Sequence, residues 1–547
     1  MCEISNFLIN QDIKQGDRVL IYMPMIPEAI FAMIACNRIG AVHVVTFGGF
    51  AAPELSKRIE CSKPKLIITA SAGLEPNKII HYLPIIEKAL KLLNATVPIL
   101  MVQRSEVYSQ PLSLSEHKIF TYQDEVQIAS KFTPAVPVHS NHPLYIIYTS
   151  GSTSDPKGII RDTGGTCVAL NFSMRSIMGI NARETYFSSS DIGWVVGHSY
   201  IVYGPLLRGG TTVLFEGKPI GMPDSGKIWS IIERHKVKSI FTSPTAIRAV
   251  RKEDPNHLLQ KKYNLSSLHS FHLAGERCDI DTFKWVQDAV KEHDIIVNDN
   301  WWQTETGWPI TSNNLEYHNF KCKPGSACRA APGYDIRIID DNGHEKKTGD
   351  IGKIVIKLPM PPSFMVGLWG KNMNEDVFKN KYLTKDNQYY ITGDAGYIDD
   401  DQYLHIMSRI DDIINVAGHR LSTGNMEEIL IKSKGIVEAA VVSVKDDIKG
   451  EVPFAFVVLY SDIPKTQYEE LKRLGKEKIV SDIGPIAKLK DIVIVQRLPK
   501  TKSGKVLRSV LKSILNGESY RYPSTIEDPV VLTEITELLK SLFFMTE

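Results

Sequence analysis

From Arg18 to about Val250, short apolar runs alternate with stretches of helical spacing, and this rhythm restricts the fold more than any other feature. The run RVLIY is followed by PEAIFAMIACNRIGA, where Ile30, Met33, Ile34 and Asn37 keep helical spacing behind Pro27 at a helix start. Gly40 ends that helix, and residues 42–45 read as the next strand. Residues 65–70, 144–147 and 212–217 repeat the theme. Strands that alternate with helices predict an α/β fold of parallel sheets with covering helices.

Two further textures follow. Between Gly325 and Asp400, runs such as YDIRIID and GKIVIKL between Gly and Pro turns predict a small barrel-like sheet. After Asp411 come a hairpin-like DDIINVAGHR, a helix near 425–432, the strands EAAVVSV and FAFVVLY, a charged helix near 468–482 and the strand DIVIV. These form a small α+β unit. The polar stretch after Gly517 is weakly patterned. A chain of 547 residues exceeds one ordinary core. We therefore expect a large domain over residues 1–410 and a small C-terminal domain over 411–547.

Composition removes several function classes. The 64 basic and 62 acidic residues balance to +2, which gives no argument for nucleic acid or a membrane surface. The seven cysteines are scattered, with only Cys322 and Cys328 close, and no Cys/His set has zinc spacing. No uninterrupted apolar run approaches a membrane span. The first residues have neither a secretory apolar region nor an Arg-rich, acid-poor transit character.

Five segments carry chemistry. YTSGSTSDPKG, residues 148–158, sets Thr149, Ser150, Gly151, Ser152, Thr153 and Lys157 behind a strand, where backbone N–H groups, hydroxyls and an ammonium can face phosphate. It is not a Walker loop; a polar surface loop is the plain alternative. Ala274-Gly275-Glu276-Arg277 offers a glycine against which a flat ring can lie, though an ordinary strand-to-helix turn reads the same way. NDNWWQTETGWP, residues 298–309, joins an apolar wall to polar heads, and Glu305 is a plausible Mg²⁺ ligand. In residues 389–420, Asp394 can accept two ribose hydroxyls, and Arg409 and Arg420 can reach phosphate. LPKTKSGKVLR crowds Lys500, Lys502, Lys505 and Arg508 about a glycine turn.

Together with blocks such as FGGFAAPELSKRI, DIGWVVGHSYIVYGPL and VAGHRLSTG, these segments resemble the adenylate-forming acyl-CoA synthetases. The likeness spans nearly the whole chain and is greatest for the short-chain branch of acetyl- and propionyl-CoA synthetases, in particular a mitochondrial, propionate-preferring member. It implies ligation of a small carboxylate to CoA through an acyl-adenylate, with ATP, CoA and Mg²⁺. By position, Thr149 to Lys157 would hold the β- and γ-phosphates. Gly275, Glu276 and Arg277 with Asp299, Asn300, Trp301, Trp302, Gln303 and Thr304 would line adenine and the α-phosphate. Asp394, Arg409 and Arg420 would complete the nucleotide site, and Glu305 would help hold Mg²⁺. Lys505 matches the catalytic lysine, a target for a regulatory lysine acylase or deacylase, and Asp411 matches the hinge. Val195, Val196, Ala274 and Trp302 would form the acyl pocket, with Ala274 making room for propionate. Lys78, Val196 and Ala417 would serve CoA.

The chain also departs from the family. Relatives end this loop Gly-x-Pro-Lys-Gly, where this chain has Ser154-Asp155-Pro156-Lys157-Gly158; the lost glycine and the added aspartate charge predict weaker ATP binding. Val480 replaces an arginine, and Glu75-Pro76-Asn77-Lys78 replaces a basic loop. Relatives carry an extra N-terminal segment, so the likeness implies a truncated chain. It would be mitochondrial by resemblance, or cytosolic if this is the true start. The alternative function is a non-catalytic nucleotide- or acyl-binding relic.

Overall fold

The computed structural model describes residues 1–75, 78–108, 117–149, 156–217, 223–316, 320–370, 375–416, 419–433, 435–446, 449–460, 463–501, 504–520, 523 and 525–543. Packing divides the chain into two compact units, Met1–Ile336 with Ile356–Tyr390, and Arg337–Val355 with Ile391–Glu547.

In the first unit the alternation folds as expected. Among the described residues, eight strands lie in the order Gly367–Trp369, Lys157–Asp162, Pro143–Thr149, Val42–Val45, Arg18–Tyr22, Leu66–Ala70, Ile99–Val102 and Ile119–Thr121. Pairings are parallel from Pro143–Thr149 onward, while Lys157–Asp162 and Gly367–Trp369 run antiparallel to their neighbours. The central strands are covered on both faces, which explains their unbroken apolar runs. Helix Pro27–Arg38 starts on its proline and buries Ile30 and Met33.

A second sheet of five parallel strands has the order Thr211–Val213, Thr185–Ser188, Val237–Thr242, Ser270–Leu273 and Ile296–Asp299. Ala274 and Asn300 follow directly on the carboxyl ends of two adjacent strands, the edge at which open α/β sheets bind ligands. The strand expected over 212–217 stops at Val213. Glu216 accepts from Arg104 Nη1 at 2.6 Å, Arg104 Nη2 at 2.9 Å and the Leu74 N–H at 3.0 Å, which takes the chain off the ladder.

The second unit carries two sheets. One orders Asp335–Ile339, Gly352–Lys357, Tyr389–Ile398 and Leu404–Arg409. The other orders His419–Ser422, Ile413–Val416, Gly450–Leu459 and Ile436–Asp446, with Ile492–Ile494 parallel to Gly450–Leu459. The expected hairpin is present as Ile413–Val416 antiparallel to His419–Ser422. Helices Thr423–Ile431 and Tyr468–Ile483 close a core that includes Leu430, Phe454, Phe456 and Ile479. The stretch after Gly517 is better ordered than its sequence suggested. Val530–Phe543 is a helix that buries Val531, Leu532, Ile535 and Leu539. Thr533, Glu534, Thr536 and Glu537 interleave with that apolar face and disguise it.

Candidate active site

The ends of the loop expected to hold phosphate are side by side, because Thr149 pairs directly with Lys157 across the antiparallel ladder. Ser150, Gly151, Ser152, Thr153, Ser154 and Asp155 lie outside the described residues. Lys157 is 6 % exposed. Removal from water lowers its pKa, and the Glu305 carboxylate draws it back up. Glu305 Oε1 accepts from the Tyr382 hydroxyl at 3.2 Å, and Gln303 Oε1 accepts from the Tyr390 hydroxyl at 2.7 Å. The two phenol rings stack with centroids 6.1 Å apart. Among the described residues no group of three or more His, Cys, Asp or Glu could hold a metal. One carboxylate near a buried lysine instead fits Mg²⁺ that arrives on a triphosphate, which takes only one or two protein carboxylates.

Gly275 has φ +107°, and a Cβ there would meet nothing within 4 Å. Its face is open, as a stacked planar ring requires. The Glu276 carboxylate accepts from Thr245 Oγ1 and from Arg248 Nη2, and Arg248 Nη1 reaches Asp279 at 3.0 Å. Burial pushes the Asp299 carboxyl well above its usual range, and the Arg277 guanidinium opposes that shift. Asn300 donates to His272 Nδ1 at 3.3 Å and accepts from Ser312 Oγ at 2.5 Å. Both ends of its amide are engaged, so it shapes the loop from behind. Burial drops His272 to about 3, which keeps the ring a neutral acceptor. The Trp301 carbonyl accepts from the N–H groups of Ile310 and Thr311 at 2.9 and 3.1 Å, turning the chain back under the site.

Val195 and Val196 lie half-buried in the turn that enters the π-helix His198–Tyr203. Ala274 is buried, its N–H on the Thr242 carbonyl at 3.1 Å. The half-buried Trp302 meets Tyr200 and Phe241 edge-on, with centroids 5.6 and 6.1 Å away. The Tyr200 hydroxyl is tied to Ser173 Oγ at 2.8 Å. Two rings thus brace the indole as a rigid wall. Lys78 is exposed on the hairpin Ala72–Glu75 and Lys78–His81, 3.4 Å from Glu75. Pro76, Asn77 and Ala417 lie outside the described residues.

In the second unit, Asp394 is buried and its Oδ1 accepts from Arg409 Nη1 at 3.2 Å. Arg420 stands opposite Asn415 in the hairpin, and its side chain lies outside the described residues, as does that of Asp411 in the turn Ile410–Asp412. Lys505 closes a tight loop in which its carbonyl accepts from the Thr501 N–H at 2.8 Å. Lys500 is bound to Glu438 at 2.7 Å, and Arg508 holds Glu427 through two bonds of 2.8 and 2.7 Å. Lys502 lies outside the described residues. Among the described residues no carboxylate lies within ion-pair distance of the exposed Lys505. Surrounding protein atoms, then the positive Arg409, lower its pKa, against Asp412 and Asp394.

Arg161 escapes sequence reasoning. It is fully buried on the strand Lys157–Asp162 and donates to the main-chain carbonyls of Thr304, Glu305 and Ser363. No local pattern marks it, because its partners are remote in sequence.

The AMP-binding enzyme family matches residues 1–369, and the AMP-binding enzyme C-terminal domain matches residues 425–505. The chain belongs to the AMP-binding enzyme family. This AMP-binding enzyme is 46% identical over 540 residues to the mitochondrial acyl-CoA synthetase short-chain family member 3 of Homo sapiens, covering 98% of this chain and 77% of that protein. It is 38% identical over 543 residues to the acetyl-coenzyme A synthetase of Wolinella succinogenes, covering 98% and 81%. These relatives place the AMP-binding enzyme in the short-chain acyl-CoA synthetase branch, whose reaction is ATP-dependent acyl-CoA ligation with CoA and Mg²⁺. The acetoacetyl-CoA synthetase of Streptomyces lividans superposes with a TM-score of 0.85 at 21% identity, over 99% of this chain and 80% of that one, which shows the shared fold.

Proposed function

We propose that this AMP-binding enzyme joins a short-chain carboxylate to CoA, with propionate preferred to acetate and butyrate. A carboxylate oxygen attacks the α-phosphorus of ATP and pyrophosphate leaves. The CoA thiol then attacks the acyl carbon of the adenylate, AMP leaves and the thioester forms. The observation that carries the reading is Trp302, a wall braced by Tyr200 and Phe241 while Ala274 stands at the adjoining strand end. Such a wall bounds acyl length, and a small residue beside it admits one more methylene than a branched one.

The remaining roles follow from charge and position. Thr149 and Lys157, with Ser150 to Thr153, bind the β- and γ-phosphates, and Glu305 meets Mg²⁺ carried in on ATP. Gly275 takes the adenine face, with Glu276, Arg277 and Asp299 to Thr304 around it. Asp394 accepts the ribose hydroxyls, and Arg409 and Arg420 answer phosphate charge. Lys505 supplies a cation to the carboxylate and α-phosphate as negative charge concentrates there. Lys78, Val196 and Ala417 serve CoA, and Asp411 is the hinge of a C-terminal domain that changes position between half-reactions. Acylation of Lys505 would cancel its charge, so a lysine acylase and deacylase are fitting regulators. The mitochondrial relatives support action in the mitochondrial matrix.

The test is pyrophosphate release and thioester formation with acetate, propionate and butyrate, run beside Lys505→Ala. Propionate should give the highest kcat/KM, and the variant should lose pyrophosphate release. Acetate outrunning propionate overturns the preference, and no ATP-dependent thioester from any of the three overturns the activity.

A further inference from the structure

We propose that Arg161 is a positioning residue for the phosphate site. Its guanidinium ties the Thr304–Glu305 corner to the strand of Lys157, so that the lysine and the carboxylate keep a fixed spacing. This step rests on reading Lys157 and Glu305 as groups that meet MgATP.

Lys157, Ile159 and Arg161 alternate along one strand and share a face, and all three are buried. A guanidinium keeps its charge at any physiological pH, and burying it is costly unless its donors are used. Here the Nη1 and Nη2 donors go to carbonyl oxygens, while Nε has no partner among the described residues. Nη1 reaches Glu305 at 3.0 Å and Ser363, and Nη2 reaches Thr304. Among the described residues no carboxylate forms an ion pair with Arg161. An apolar side chain would fill the same space without the desolvation cost. What it could not do is hold three carbonyls from two separate segments in one rigid fork.

The corner is moulded around this side chain. Gly307 has φ +80°, and a Cβ there would sit 2.8 Å from the guanidinium carbon, so only glycine lets the chain pass. Ser199 Oγ donates to the Gly307 carbonyl at 2.6 Å and closes the turn from the other side. Glu305 is therefore gripped by its main chain while its side chain reaches towards Tyr382, within the field of Lys157. Displacement of the guanidinium moves the Glu305 backbone, and the carboxylate moves with it.

The experiment compares the wild-type full chain with Arg161→Lys and Arg161→Met. It reads acid-dependent ATP–pyrophosphate exchange, KM for MgATP and for propionate, calorimetric MgATP affinity and Tm. Arg161→Lys keeps the charge and loses the fork. It should raise KM and Kd for MgATP about tenfold, as expected for a lost charge-assisted bond, and leave KM for propionate within about twofold. Arg161→Met should shift MgATP further and also lower Tm. Unchanged MgATP constants in Arg161→Lys, or equal rises in both KM values, overturn the lock and leave the ligase reading intact. A wild type that binds MgATP without turnover still tests the lock through Kd, and one that binds no MgATP overturns both.

Discussion

Asp394 and Arg409 face each other across an antiparallel strand pair, with Oδ1 and Nη1 3.2 Å apart. Gly393, at φ +74°, makes the pairing fit, since a Cβ there would lie 2.5 Å from an Arg409 terminal nitrogen. Arg409 also donates to the Thr392 carbonyl at 3.1 Å, so the cation is anchored at two points beside the carboxylate. The acid proposed for ribose and the cation proposed for phosphate are thus held as one unit. Asp394→Asn should raise KM for ATP about tenfold, by loss of charge-assisted acceptance, with KM for propionate unchanged. ATP titration of pyrophosphate exchange checks this, and an unaltered KM for ATP rules out the ribose role.

Lys505→Gln removes the charge that acylation would remove. Adenylation should fall about a hundredfold, as when one preorganised donor is lost. Thioester formation from chemically prepared propionyl-adenylate should be retained. In the proposed role the cation is the working form, so adenylation should be lost as pH rises through the Lys505 pKa. That pKa is lowered, so the alkaline limb should fall below the ordinary lysine value of 10.5. Lys505→Arg should move the limb upward, because arginine does not titrate in this range. Superimposable limbs for lysine and arginine would defeat the assignment.

On the proposed reading, Ala274→Val narrows the acyl pocket. The propionate-to-acetate ratio of kcat/KM should drop by about tenfold, the usual worth of a methylene in a tight apolar site. Competition between the two acids, read by mass spectrometry of the thioesters, measures the ratio directly. A constant ratio would take Ala274 out of the pocket.

The parallel sheets were legible because their strands are buried on both faces and read as unbroken apolar runs, as in Arg18–Tyr22. The candidate loops stood out because Thr149, Asp394 and Lys505 sit in dense local patterns. Arg161 was not, since its meaning lies in carbonyls that only the folded chain brings to it. Likewise, the engagement of the Asn300 amide by His272 and Ser312 is a partnership invisible along the sequence. The helix Val530–Phe543 had apolar spacing at Val531, Ile535 and Leu539, but the intervening Thr and Glu residues masked it.

His43 and His198 are both buried, with ring centroids 5.4 Å apart, and His43 Nε2 lies 2.5 Å from the Tyr203 hydroxyl. Burial holds both below the ordinary histidine value, His198 at about 4. In the unfolded chain they protonate near pH 6.5, so between about 6.5 and 4 the unfolded state binds more protons and stability falls with pH. Asp191, pushed up to about 6 by burial, opposes part of this slope. Tm should therefore decline across that window. His43→Gln should start lower, for the lost Tyr203 bond, and decline less steeply. Parallel Tm–pH curves for the two proteins would remove His43 as a cause.

The chain passes between its two compact units three times, at residues 336–337, 355–356 and 390–391. The order of synthesis then becomes part of the folding problem. Arg337–Val355 leaves the ribosome before the Ile391–Glu547 segment with which it packs exists. Meanwhile Ile338, Ile339, Ile354 and Val355, all buried in the finished protein, have only the two strands of their own segment and none of the later residues of their unit. The first unit likewise waits for Ile356–Tyr390. During this interval the exposed aliphatic strand is open to aggregation, the hazard that chaperones counter.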